Sequence, residues 1–271
     1  MKVALLYFGK SRSIGYTYKS HHKHIFQVLE KYGFKYDVYI HTWKTEDNVV
    51  WNKDTKIPEK DEYHLLNPKV LKIDEQKGFL DSLDFSIYFS EETFKKYGQQ
   101  ETSEWCPKLL KNHLCAVESQ KRCFNMISEE YDIYIVLRPD AYFLKNIEVE
   151  QLQNIKEGVL YVPCWASNEG YNDRFALGKK DIIKKYTHRI DDYPGFRSIF
   201  GRLVSEKCVR LFAEKYKIPV EKICVLFSLI RPDGSKDDRE VLNDYVKYLE
   251  EYVKVLEIKM NNLYIKNLNV V

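Results

Sequence analysis

The sequence has no CxxC pair, no HExxH spacing and no apolar run approaching a membrane span, and its charges almost cancel. The missing HExxH spacing leaves a zinc hydrolase of that type without support, and no histidine follows His188. Without a CxxC pair, Cys106, Cys115, Cys123, Cys164, Cys208 and Cys224 read as reduced thiols, several of them set in apolar patterns as small hydrophobes. The 43 basic and 40 acidic residues give a net charge of +3, too small for the basic field that nucleic-acid binding draws on. The opening apolar run, Val3 to Phe8, is shorter than the h-region of a signal peptide. It is expected to be a buried first strand, and the protein to be soluble in a reducing cytoplasm.

What is present is enough apolar sequence, 44% over 271 residues, for one substantial core. Tyrosine is abundant at 21 residues, and its flat ring with a polar edge suits stacking on a base or a sugar face as well as core packing. Val3 to Phe8 is followed by Gly9-Lys10-Ser11-Arg12-Ser13-Ile14-Gly15 and then by a helical spacing at His22, Ile25, Leu29 and Tyr32. Gly33 is placed to end that helix. A second strand, Asp37 to Ile40, then runs into His41-Thr42-Trp43. The charged, aperiodic stretch from Lys44 to about Lys60 predicts a long surface loop, and Lys69 to Ile73 a third strand.

The stretch from Gln76 to Gly98 follows no clear pattern. Trp105 to Ile127 has the spacing of a long helix, with Leu110, Leu114, Val117 and Phe124 on one face and Pro107 in its first turn. It leads into Ile133-Tyr134-Ile135-Val136-Leu137, apolar on both faces as a central parallel strand must be, which ends at Arg138-Pro139-Asp140. Further strands are expected at Val159 to Val162, Phe175 to Leu177 and Ile223 to Ile230. Alternating strands and helices predict an α/β sheet, in which ligands lie beyond the carboxyl ends of the strands.

That rule selects the candidate site. Asp140, directly after a buried strand, is either a ligand for Mg²⁺ or Mn²⁺ bridging a diphosphate or a turn-forming residue after proline. Arg138 matches phosphate oxygens with a planar fork, or pairs with a neighbouring carboxylate. Arg12 lies in a loop entering a helix, where anions are favoured, although the loop fits neither a Walker sequence nor a dinucleotide fingerprint. Asp173 sits on a loop that could face Asp140 across a cleft. Glu206 belongs to the first turn of a helix carrying Val209, Leu211 and Phe212, where acids are also ordinary helix chemistry. Arg231-Pro232-Asp233-Gly234 repeats the Arg-Pro-Asp string as a strand-to-turn signal, with Arg231 as a second phosphate contact.

The segment order resembles a group of GT-A-like glycosyltransferases found in large DNA viruses, bacteria and plants, over about Met1 to Gly234. The resemblance is carried by the opening strand with Gly9-Lys10-Ser11-Arg12, by Tyr36-Asp37-Val38-Tyr39-Ile40-His41-Thr42-Trp43 and by Ser119-Gln120-Lys121-Arg122. Tyr131 to Asp140 and Asn172-Asp173-Arg174-Phe175-Ala176-Leu177-Gly178 complete it. It implies a GT-A-like, Rossmann-like, mostly parallel central sheet flanked by helices, spanning 1–235, with a C-terminal helical appendage over 236–271.

It also implies a nucleotide-sugar donor, UDP-sugar favoured, held by Phe8, Gly9, Arg12, His41, Thr42, Trp43, Arg122, Arg138, Asp140 and Arg231, and transferred to a glycan or other hydroxyl acceptor. Many such enzymes bind a divalent cation (Mn²⁺ or Mg²⁺) through a DxD pair, whereas here Arg138 stands where the first acid would be and leaves Asp140 as the metal candidate. An acid at a helix start after the donor loops resembles the base of inverting enzymes, which ranks Glu206 first and Asp173 second as catalytic residues. The alternatives are a sugar nucleotidyltransferase and a non-catalytic carbohydrate-binding module. In the tail, Leu242, Tyr245, Leu249, Tyr252 and Leu256 follow the spacing of a helix-packing seam. The seam serves either to pack the tail on its own domain or to form a homodimer.

Overall fold

The computed structural model of the chain describes residues 1–11, 13–44, 62–92, 95, 107–237, 241–247, 249, 250, 253, 254, 256, 257 and 260. The loop expected from Lys44 to Lys60, and Arg12, fall almost wholly or wholly outside them. Strand β1 is Lys2–Phe8. It leads into helix α1 (Ile14–His21), a π-turn over His22–Phe26 and α2 (Gln27–Lys31). Gly33 ends this helical segment with φ +73°, a conformation that favours glycine. Strand β2 (Lys35–Lys44), β3 (Val70–Glu75), α3 (Gln76–Ser82) and α4 (Pro107–Asn125) follow.

After β4 (Ile133–Leu137) come β5 (Ala141–Phe143), α5 (Val149–Gln153), β6 (Leu160–Pro163) and β7 (Phe175–Gly178). The last third holds α6 (Lys180–Thr187), α7 (Tyr193–Phe200), α8 (Ser205–Tyr216), β8 (Val220–Ile223), β9 (Phe227–Ile230) and β10 (Lys236–Asp237).

Seven strands form the central sheet in the order β3-β2-β1-β4-β7-β6-β8. All neighbours run parallel except that β7 is antiparallel to both β4 and β6, so the α/β class with a mostly parallel sheet is the one the sequence predicts. Strand alternation divides β1 between two cores. Val3, Leu5 and Tyr7 face one cluster with Ile25, Leu29 and Ile135. Ala4, Leu6 and Phe8 face the other with Leu114, Val117 and Phe212. Residues covered on both faces have no polar side, which is why β1 and β4 read as unbroken apolar runs.

One expectation is corrected. Ile223 to Ile230 is not one strand: β8 ends at Ile223 and pairs with β6, whereas β9 begins at Phe227 and joins a separate three-stranded sheet, β10-β9-β5. The backbone turns between them, with the Val225 N–H donating to the Ile223 carbonyl at 3.0 Å. An apolar run cannot reveal such a turn when both halves are buried.

The small sheet also takes in the start of the tail, because Lys236 pairs with Ile230 and Asp237 with Leu229. Beyond it, every described residue from 241 to 260 is helical. Val241 is buried in the core, Tyr245 packs against it, and the Asp244 carboxylate accepts the Ala166 N–H at 2.8 Å.

Candidate active site

The carboxyl ends of β1 and β4 open into a cavity of about 320 Å³. Its wall includes Phe8, Gly9, Trp43, Arg138, Asp140, Asp173, Glu206 and Arg231, which the sequence singled out. Strand order explains the convergence: β1 and β4 are parallel neighbours, so their loops emerge at the same edge. Gly9 leaves β1 with φ +93°, a conformation that favours glycine, and its N–H donates to Ser119 Oγ at 2.8 Å.

The turn after β4 is fixed from several sides. The Thr17 hydroxyl donates to the Pro139 carbonyl at 2.7 Å, and the Ile230 N–H donates to the Asp140 carbonyl at 2.9 Å. Ser13 Oγ donates to the Ile230 carbonyl at 2.8 Å, tying the same strand to the start of α1. Antiparallel pairing of β5 with β9 thus brings the two Arg-Pro-Asp strings together and places Arg138 and Arg231 on one wall.

Asp140 is 2% exposed and receives Arg138 in a fork, with Nε 2.8 Å from Oδ1 and Nη2 2.6 Å from Oδ2. A buried carboxylate is costly unless paired, and the fork supplies both charge and hydrogen bonds. The same fork bears on the divalent cation. A cation at Asp140 would have to compete with a guanidinium for both carboxylate oxygens. Among the described residues there is no group of three or more His, Cys, Asp or Glu side chains that could hold a metal ion. These residues do not fit a dedicated cation site.

Glu206 lies opposite in the first turn of α8 and is 2% exposed. The Ser205 hydroxyl donates to Oε2 at 2.7 Å, Asn168 Nδ2 donates to Oε1 at 3.2 Å, and the Arg174 guanidinium is 3.9 Å from Oε1. Burial, followed by the negative field of Asp173, raises its pKa from 4.5 to about 7 despite the bond from Ser205 and the charge of Arg174. The loop from Ala166 to Arg174 is built around it. The Tyr171 N–H donates to the Glu206 carbonyl at 3.0 Å, and a Cβ on Gly170 would lie 1.9 Å from that oxygen. Asn172, fully buried, donates to the Trp165 carbonyl at 2.9 Å and accepts the Arg174 N–H at 2.9 Å, so Asp173 is held between two anchored neighbours.

Among the described residues, three expected donor residues are not on this wall. His41 is fully buried, with Nδ1 2.7 Å from Ser119 Oγ and Nε2 3.2 Å from Asp74 Oδ2. Burial lowers its pKa to about 4, with Asp74 working in the other direction. Thr42 is 3.4 Å from Ser11 Oγ, and Arg122 pairs with Asp74 and with Glu118 at 2.8 Å while its guanidinium covers the Trp43 ring at 4.9 Å. These residues form the layer behind Trp43, whose indole N–H donates to the Cys115 carbonyl at 2.9 Å.

Sequence reasoning missed Gln76, Asn112 and His113 on the wall. His113 Nε2 is 2.9 Å from the Tyr193 hydroxyl. For Asn112 and His113 the available signal was polarity next to the apolar positions 110 and 114 of α4, on the helix edge that borders the core face.

No protein-family model and no curated protein sequence matches the chain. Among solved structures, the chain is similar to the apo form of mouse xyloside xylosyltransferase 1, with a TM-score of 0.41 and 10% identity over 82% of this chain and 84% of that one. None of the described helices is long and apolar enough to cross a membrane.

Proposed function

We propose that the chain is a GT-A-like glycosyltransferase that moves a sugar from a nucleotide-sugar donor, UDP-sugar favoured, to a hydroxyl acceptor with inversion. The observation that carries this reading is a buried acid that titrates near neutrality, Glu206, in one cavity with Arg138 and Arg231. General-base catalysis works best when the base has a pKa near the working pH. In the ionised form Glu206 accepts the acceptor hydroxyl proton as that oxygen bonds to the anomeric carbon. The bond from the anomeric carbon to the diphosphate oxygen breaks in the same step, and the electron pair leaves with the diphosphate.

Arg138 and Arg231 supply positive charge where that negative charge develops. Asp140 orients Arg138 through the two-point fork, and burial together with the charge of Asp173 raises the proton affinity of Glu206. No step is assigned to a metal ion, because the donor set around Asp140 does not fit one.

The test is transfer and donor hydrolysis with a panel of UDP-, GDP- and CMP-sugars, each with Mn²⁺ and with chelator. One nucleotide family should turn over, without dependence on the metal, and Glu206→Gln should abolish transfer in a folded protein. Pyrophosphate release from a nucleoside triphosphate and a sugar phosphate, with no turnover of nucleotide sugars, would replace this reading with nucleotidyl transfer.

A further inference from the structure

The tail helix leaves an apolar row uncovered. Leu242, Val246, Leu249, Val253, Leu256 and Met260 are each between 40% and 68% exposed. Their spacing alternates four and three residues without a break, the period that holds a stripe on one side of a supercoiled helix. The row is a different face from the one already in use, because Val241, Asp244 and Tyr245 dock the start of the helix on the domain.

We propose that this row is a parallel two-stranded coiled coil with a second copy of the chain. The residue types select the occupant and its orientation. In heptad terms Val246, Val253 and Met260 occupy the a positions and Leu242, Leu249 and Leu256 the d positions. β-branched residues at a with leucine at d favour two parallel strands over higher assemblies. The charges agree. Glu250 and Glu257 fall at e, where a parallel partner presents its g positions, and beyond the docked base these hold Tyr252 and Lys259 rather than acids. An antiparallel partner would set e against e and oppose acid to acid.

Helical residues with an uncovered apolar stripe have little reason to hold that conformation alone in water, since most helical stability comes from packing an amphipathic face. The row therefore joins two catalytic domains side by side, each docked on the base of its own helix.

Sedimentation equilibrium of the full chain tests this. The expected mass is twice the chain mass of 32.4 kDa. The double variant Leu249→Glu/Leu256→Glu should sediment as one chain while its domain keeps the thermal transition of the parent. Orientation is read by cysteine: under mild oxidation Leu249→Cys should link two chains, whereas Lys254→Cys, on the outer b position, should not exceed the parent background. A single-chain mass for the parent at about 100 μM, well above micromolar coiled-coil dissociation, would overturn the proposal. So would a dimer that survives the double variant, a three-chain mass, or linking at 254 but not at 249.

Discussion

Replacing Glu206 with glutamine should make the protein more stable above neutral pH while removing its activity, and the size of the gain should depend on pH. In the folded chain the carboxyl holds its proton up to about pH 7, against 4.5 for an unperturbed glutamate. Between those two values the folded state binds more protons than the unfolded state, so stability falls as pH rises through the window, and the penalty is complete above it. The shift corresponds to about 3 kcal/mol at full ionisation, reached near pH 8, and to under about 1 kcal/mol near pH 5.

Glutamine has the shape of the protonated acid but never ionises. It also loses one of the two acceptors that serve Ser205 and Asn168, a cost that is the same at every pH. The informative quantity is therefore the change in the difference between the two proteins. Thermal unfolding near pH 5 and near pH 8 should show the midpoint of Glu206→Gln, relative to the parent, rising by about 5 °C between the two conditions. Asp173→Asn in the parent should reduce that rise, because it removes the second cause of the shift. A midpoint difference that does not change with pH would refute the claim that Glu206 is buried with a raised pKa, and with it the choice of base.

Other consequences are open to measurement. Gly170→Ala would put a methyl group into the Glu206 carbonyl, and backbone on backbone leaves no flexible neighbour to yield. It should cost about 2 kcal/mol in urea unfolding and lower kcat with it, by displacing the first turn of α8. Arg138→Ala removes the guanidinium from a carboxylate that is 2% exposed and should cost about 3 kcal/mol. Adding Asp140→Asn should recover much of that loss, and strict additivity of the two variants would count against the pair.

On the acid side, burial holds His21 neutral to about pH 3 and His41 to about pH 4. The unfolded chain binds those protons first, so stability should fall as pH drops below the ordinary histidine value of 6.5. His21→Gln should flatten that limb in a urea midpoint series, and an unchanged limb would assign acid unfolding to other groups.

What could be read in advance divides by how local the signal is. The central strand Ile133–Leu137 and its exit at Asp140 were legible because burial on both faces leaves an unbroken apolar run, and the parallel topology then fixes where the run ends. The meeting of Arg138 with Arg231 was not legible as a contact. It depends on β9 crossing from the run after β8 to pair with β5, and a turn between two buried segments leaves no polar mark in the sequence. His41 shows the opposite failure. It lies in β2 on the correct edge, yet its ring is taken up by Ser119 on α4 and Asp74 on β3, partners distant in sequence that no local pattern reveals.

Glu206 shows why an ordinary-looking residue can hold the chemistry. An acid in the first turn of a helix is common, and exposure would leave its proton affinity unremarkable. What changes it is the loop from Ala166 to Arg174, which Gly170 allows to approach the helix backbone closely enough to shut out water and to bring Asp173 alongside. The catalytic potential of the site therefore depends on a contact between two segments more than thirty residues apart, with a glycine as the condition for it.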